Sequence, residues 1–161
     1  MKMKPACIAA LALSLSVTPI YAADLAGSAS GSPALALAAV IAPYSDLSPV
    51  DKVTVAALFD GETGKLAAKK ISVAADKITC RTSNVDLTSR SCELTFKGRK
   101  HSLLGREANE LFATMALAGI APEGAAGSNI AGTSKLTCTL DVAAIKQRDG
   151  GGASCAFDAG N

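Results

Sequence analysis

Residues 77 to 80 read Lys77-Ile78-Thr79-Cys80, and the same texture returns further along the chain as Lys135-Leu136-Thr137-Cys138. In each copy apolar and polar residues alternate and the row ends on a cysteine, the period-two pattern of a strand with one buried face. A second cysteine then opens another short alternation, Cys92-Glu93-Leu94 after the first copy and Cys155-Ala156-Phe157 after the second. The copies lie further apart than the roughly 20 to 50 residues of stacked solenoid units, so they read as two similar hairpins.

Upstream of the first copy, Ile71 and Val73 alternate in one phase while Ile78 and Cys80 alternate in the other. A bulge or turn is therefore expected near Ala74, Ala75 and Asp76. Downstream, Cys92, Leu94 and Phe96 form an apolar row against Ser91, Glu93 and Thr95. Lys97-Gly98 reads as a tight turn into a short strand ending near Leu103. Leu104, Ala108, Leu111, Phe112 and Met115 then share one helical face, which predicts an amphipathic helix over about 104–118 packed on the sheet. Gly119 is its expected stop, Ile120 can fold back on the last turn, Pro122 forbids resumption, and 123–132 read as a small-residue loop.

Two short helices are expected before the sheet. Ser32-Pro33 opens the apolar segment from Ala34, with Ser as cap and Pro at the first helical position, and Pro43 ends it near Ile41. Ser48-Pro49-Val50-Asp51 repeats the start signal, and Val50, Val53, Ala57 and Leu58 then share a face. The competing reading takes Val53, Val55 and Ala57 as a strand entering an Asp60-Gly61 turn; the helix is preferred, with Gly61 as its stop.

The N-terminus reads as a secretory signal: Lys2 and Lys4, an apolar run from Ala6 to Val17, Pro19, and a small-residue site around Ala22-Ala23. The run is short of the roughly 20 residues a membrane span needs. The expected organisation is a signal peptide over 1–22, cleaved after 22 or 23, a flexible lead-in over 23–32, and a single domain over 33–161. Removal of Lys2 and Lys4 leaves the basic residues equal in number to the 14 Asp and Glu, so the mature chain is formally neutral. Export places it in a secreted or bacterial periplasmic setting, without a transmembrane segment.

Cys7 leaves with the signal, so Cys80, Cys92, Cys138 and Cys155 remain, an even set bound for an oxidising compartment. Of the three connectivities, Cys80 with Cys92 and Cys138 with Cys155 is favoured, because each pair staples one hairpin and all four sulfurs share the phase of the apolar residues. Each staple is expected to contribute about 3 kcal/mol on the chain-entropy account. A zinc or redox site is disfavoured: there is no Cys-x-x-Cys and the chain has one histidine, His101. No metal and no cofactor is expected.

No catalytic residue is assigned. His101 is the sole imidazole and reads as a solvent-facing residue near the end of a strand. Gly150-Gly151-Gly152 lacks the ending of a phosphate-binding loop and reads as a flexible hairpin tip. Charge concentrates at Lys97, Arg99, Lys100 and His101, with Arg106 a turn further on, and alternation puts Lys97, Arg99 and His101 on one face. That patch can steer an anionic partner. The competing role is charge protection of an edge strand. Nucleic acid is not expected, because the aromatic residues are not interleaved with the basic ones as a stacking platform requires.

The expected fold is thus α+β, a mostly antiparallel sheet of two disulfide-stapled hairpins with one main packed helix, preceded by two short helices. The leading function is that of a non-enzymatic binding or accessory protein, inhibitor-like in architecture, acting on an envelope protein or an anionic ligand. Its two braced loops, Arg81 to Ser91 and Thr139 to Ser154, nominate Asn84, Asp86, Lys146, Gln147 and Arg148 as contacts. The alternatives are a small envelope hydrolase or transferase using a carboxylate or His101, and a structural subunit that packs an apolar face into an oligomer.

Overall fold

In the computed structural model, which describes residues 27–82, 90–119, 134–147 and 151–159, the doubled hairpin pattern becomes one continuous sheet. Six strands, β1 (Gly27–Ser30), β2 (Lys70–Thr82), β3 (Arg90–Phe96), β4 (Arg99–Leu104), β5 (Ser134–Asp141) and β6 (Ala153–Ala159), lie in the order β1-β6-β5-β2-β3-β4. Every pairing is antiparallel. The two matching tetrapeptides sit on β2 and β5, the central neighbours, so each hairpin occupies one half of the sheet. The signal segment and the 123–132 loop lie outside the described residues.

The phase slip in the sequence is a bulge within a single long strand. β2 pairs with β5 over 70–75 and with β3 over 77–82, and the register shifts between Ala75 and Ile78. Asp76 and Lys77 are both exposed there while Ala75 and Ile78 are both buried, so the extra residue returns Ile78 and Cys80 to the core face. The bulge also holds the next hairpin, because the backbone N–H of Lys97 donates to the Asp76 carboxylate at 2.6 Å.

Cys80 stands directly opposite Cys92, and Cys138 opposite Cys155, with Cα separations of 4.1 and 4.0 Å. Both pairs form disulfides, as expected from one staple per hairpin with all four sulfurs on the apolar face. The sulfurs lie in the core with Ile78, Leu94, Phe96, Leu136 and Leu140.

Among the described residues, helices cover only one face. α1 (Ser32–Ile41) packs on α3 (Arg106–Leu117), β5 and β6, and α2 (Pro49–Phe59) packs on α1. Ala34, Leu37, Ala38 and Ile41 of α1 meet Ala108, Leu111, Phe112 and Met115 of α3 in the core. Ser48 caps α2 as expected, its hydroxyl oxygen accepting the Asp51 N–H at 3.1 Å. The 50–59 segment is therefore helix and not strand.

Several expectations change in detail. Gly27–Ser30, expected within the lead-in, is an edge strand paired to β6; Gly31 then caps α1, with Ser32 its first residue, and its N–H donates to Ala153 O at 2.9 Å. Small side chains carried no alternation to reveal this strand. On α2 the buried face is Thr54, Val55 and Leu58, whereas Val50 and Val53 are 69% and 68% exposed. Thr54 tolerates burial because its hydroxyl donates to Val50 O at 2.8 Å within the helix. Leu104 ends β4 and points to solvent; the chain turns at Gly105, whose φ of 54° suits glycine, and α3 starts after it.

The second expected loop, 139–154, contains structure of its own. β5 runs on to Asp141, which caps a short helix α4 (Val142–Lys146) by accepting N–H bonds from Ala143 and Ala144 at 3.0 and 3.1 Å. Gly152, expected in a flexible tip, is packed beneath this helix: a Cβ there would stand 2.8 Å from Ile145 N.

Candidate functional site

With the described helices on one side only, alternate residues of every strand face away from the core. Where β2, β3 and β4 meet, register arranges them as three rows: Lys77, Thr95 and Lys100; Thr79, Glu93 and Ser102; Arg81, Ser91 and Leu104. Eight of these nine side chains, all but Thr95, line a cleft of about 580 Å³ on the open face. Lys77, Arg81 and Lys100 supply three cations against the single carboxylate of Glu93, which lies 2.9 Å from the Lys100 ammonium. The remaining groups are mostly hydroxyls, able to donate or accept hydrogen bonds. The cleft can therefore hold an anionic group with direct hydrogen bonds around it.

The rest of the open face differs. Ser30, Ser154, Thr139 and Ser72 form one row across β1, β6, β5 and β2, and Ser28, Ala156, Thr137 and Ala74 form the next. Those rows are small and uncharged, and the rows flanking them set Lys70 opposite Asp141 and Lys135 opposite Asp158, one lysine against one aspartate in each, so the net basic excess belongs to the β2–β3–β4 half.

The sequence-nominated residues are dispersed. Arg99 and His101 share the helix-side face of β4 with Leu103, and Lys97 lies in the preceding turn. Lys97 and Arg99 both pair with Asp46, Lys97 at 3.6 Å. His101 is half-buried, not solvent-facing: its ring centroid lies 5.9 Å from Tyr44 and 6.1 Å from Phe96. The Lys146 ammonium donates to Leu66 O at 2.9 Å, while Gln147 is exposed at the end of α4. Asn84, Asp86 and Arg148 lie outside the described residues.

Lys77, Arg81, Glu93 and Ser102 were not singled out by sequence reasoning. Their signal was present as the polar phase of each alternation, but only the strand order brings them together. Lys100, in the opposite phase from Arg99 and His101, is the one member of the basic run that faces the cleft.

Among the described residues no three His, Cys, Asp or Glu side chains cluster closely enough to hold a metal ion, and no helix is long and apolar enough to cross a membrane. Fold and site together define a disulfide-braced α+β protein whose sheet, among the described residues, has one helix-covered and one open face. No protein-family model, curated protein or solved structure matches this chain significantly.

Proposed function

We propose that this is an exported, non-catalytic binding or accessory protein that engages an acidic macromolecule of the envelope or extracellular medium through its open sheet face. The observation that carries this reading is the excess of Lys77, Arg81 and Lys100 over Glu93 in one cleft of a formally neutral mature chain. A local excess of charge steers an oppositely charged partner and favours its bound orientation. The Cys80–Cys92 disulfide joins β2 to β3 under the cleft, so little ordering free energy is lost on binding. Export is supported by the N-terminal signal pattern and by two disulfides, which fit an oxidising compartment. A non-catalytic role is supported by the place of His101, the one imidazole, which lies beside Tyr44 and Phe96 on the helix side and not in the cleft.

The test is affinity capture from envelope and culture-medium extracts on immobilised protein, wild type beside the double variant Lys77→Glu, Arg81→Glu. A partner that wild type retains, that salt elutes and that the variant fails to retain supports the proposal. Equal retention of every captured protein by both contradicts it.

A further inference from the structure

The apolar face that α2 leaves in solvent is not spread over a smooth surface. Val50 and Val53 line a groove with Pro49, Thr54, Leu66 and Ala67, and its volume is about 480 Å³. That is within the range of roughly 300–1,000 Å³ typical of small-molecule sites and is walled by apolar side chains with few polar groups, as such sites are. Exposing two valines to this extent costs solvation free energy that an apolar occupant would recover.

The outer wall is held in place before anything binds. Glu62 N–H donates to Ala57 O at 2.8 Å, the Lys146 ammonium to Leu66 O at 2.9 Å, and Val142 N–H to Lys69 O at 3.0 Å. Such ties reduce the ordering cost of binding.

The charged side chains lining the groove are both lysines, Lys65 and Lys69. Lys69 is paired with Asp51, whereas Lys65 is exposed and makes no salt bridge to a carboxylate among the described residues. An apolar trough with an available ammonium at its margin complements an apolar chain ending in an anion. The lining contains no aromatic residue and no arginine, the side chains that anchor protein interfaces.

We infer that the groove between α2 and 65–69 binds one acyl chain of a free fatty acid, with its carboxylate at Lys65. This site lies on the helix-covered side and does not depend on the anionic partner proposed for the open face.

The test titrates full-length mature protein with dodecanoate below its micelle-forming concentration and follows backbone and methyl NMR shifts. The expected result is saturable shifts at Val50, Val53, Leu66 and Lys65, with affinity lowered about tenfold or more by Val53→Glu, which sets a carboxylate against the chain. Lys65→Glu is expected to weaken binding by up to about fivefold, the scale of an exposed ion pair. Both positions are exposed, and a thermal melt of each variant confirms folding. Absence of saturable shifts, an equal response to dodecyltrimethylammonium, or shifts only with phosphatidylglycerol vesicles would each overturn the inference.

Discussion

The carboxylate of Glu93 on β3 lies 2.9 Å from the ammonium of Lys100 on β4, at the centre of a cleft that Lys77 and Arg81 border from β2. Among the described residues lining the cleft, Glu93 is thus the one charge that opposes an incoming anion. Glu93→Gln is expected to tighten binding of an acidic polymer while costing no more than about 1 kcal/mol of stability, since the pair is solvent-exposed. Isothermal titration and a denaturant melt of the same variant measure the two effects separately.

The two disulfides are expected to matter about equally. Each closes a short segment between directly paired strand positions, with sequence separations of 12 and 17. Replacing either pair by serines is expected to lower stability by about 3 kcal/mol in urea unfolding. Reductant should then further destabilise each single-pair variant through its remaining bridge.

Much of this core was legible before the structure. Cys80, Cys92, Cys138 and Cys155 each stand in phase with neighbouring large apolar residues, so parity implied their shared face, and the two predicted hairpins implied their pairing. The packed helix was legible for the same reason, since Ala108, Leu111, Phe112 and Met115 fall at helical spacing. Three features were not. Gly27–Ser30 has no large side chain to show a buried phase. Val50 and Val53 look like core residues, and only the packing of α2 on α1 through Val55 and Leu58 shows otherwise. Asp46, which engages Lys97 and Arg99, is distant in sequence from both, so local charge counting misjudged which basic residues stay available.

Gly152 and Gly64 offer a controlled comparison. Gly152 has a φ of 89° and backbone atoms of Ile145 and Asp141 where a Cβ would go, whereas a Cβ at Gly64 meets nothing within 4 Å. Gly152→Ala is expected to cost about 1–3 kcal/mol, and Gly64→Ala to stay within about 0.5 kcal/mol of wild type. Thermal unfolding of the two variants side by side checks this.

Stability should fall at both ends of the pH range for identifiable reasons. The Lys69 ammonium, followed by the Ser48 hydroxyl, holds the Asp51 carboxyl below its usual value of 3.8. Its folded-state pKa is depressed, so its contribution is present at neutral pH and is lost as pH falls below that value. Burial, reinforced by Glu107, raises the Tyr44 phenol above its ordinary 10.0. The unfolded chain ionises first, so stability is lost as pH rises past about 10. Asp51→Asn should flatten the acid limb of a stability–pH profile and Tyr44→Phe the alkaline limb.

The most direct test of the open-face site compares its cations with those on the helix side. Binding of poly-glutamate is measured at low and moderate salt for wild type, for Lys77→Glu with Arg81→Glu, and for Lys97→Glu with Arg99→Glu. The first pair lines the open cleft, while the second is paired with Asp46. Wild-type binding is expected to weaken with salt as screening increases. The open-face variant should lose about tenfold or more in affinity and the helix-side variant less than about threefold, on the scale of desolvated against exposed charge contacts. Equal losses, or a larger loss in the helix-side variant, would contradict the assignment of the site to the open face.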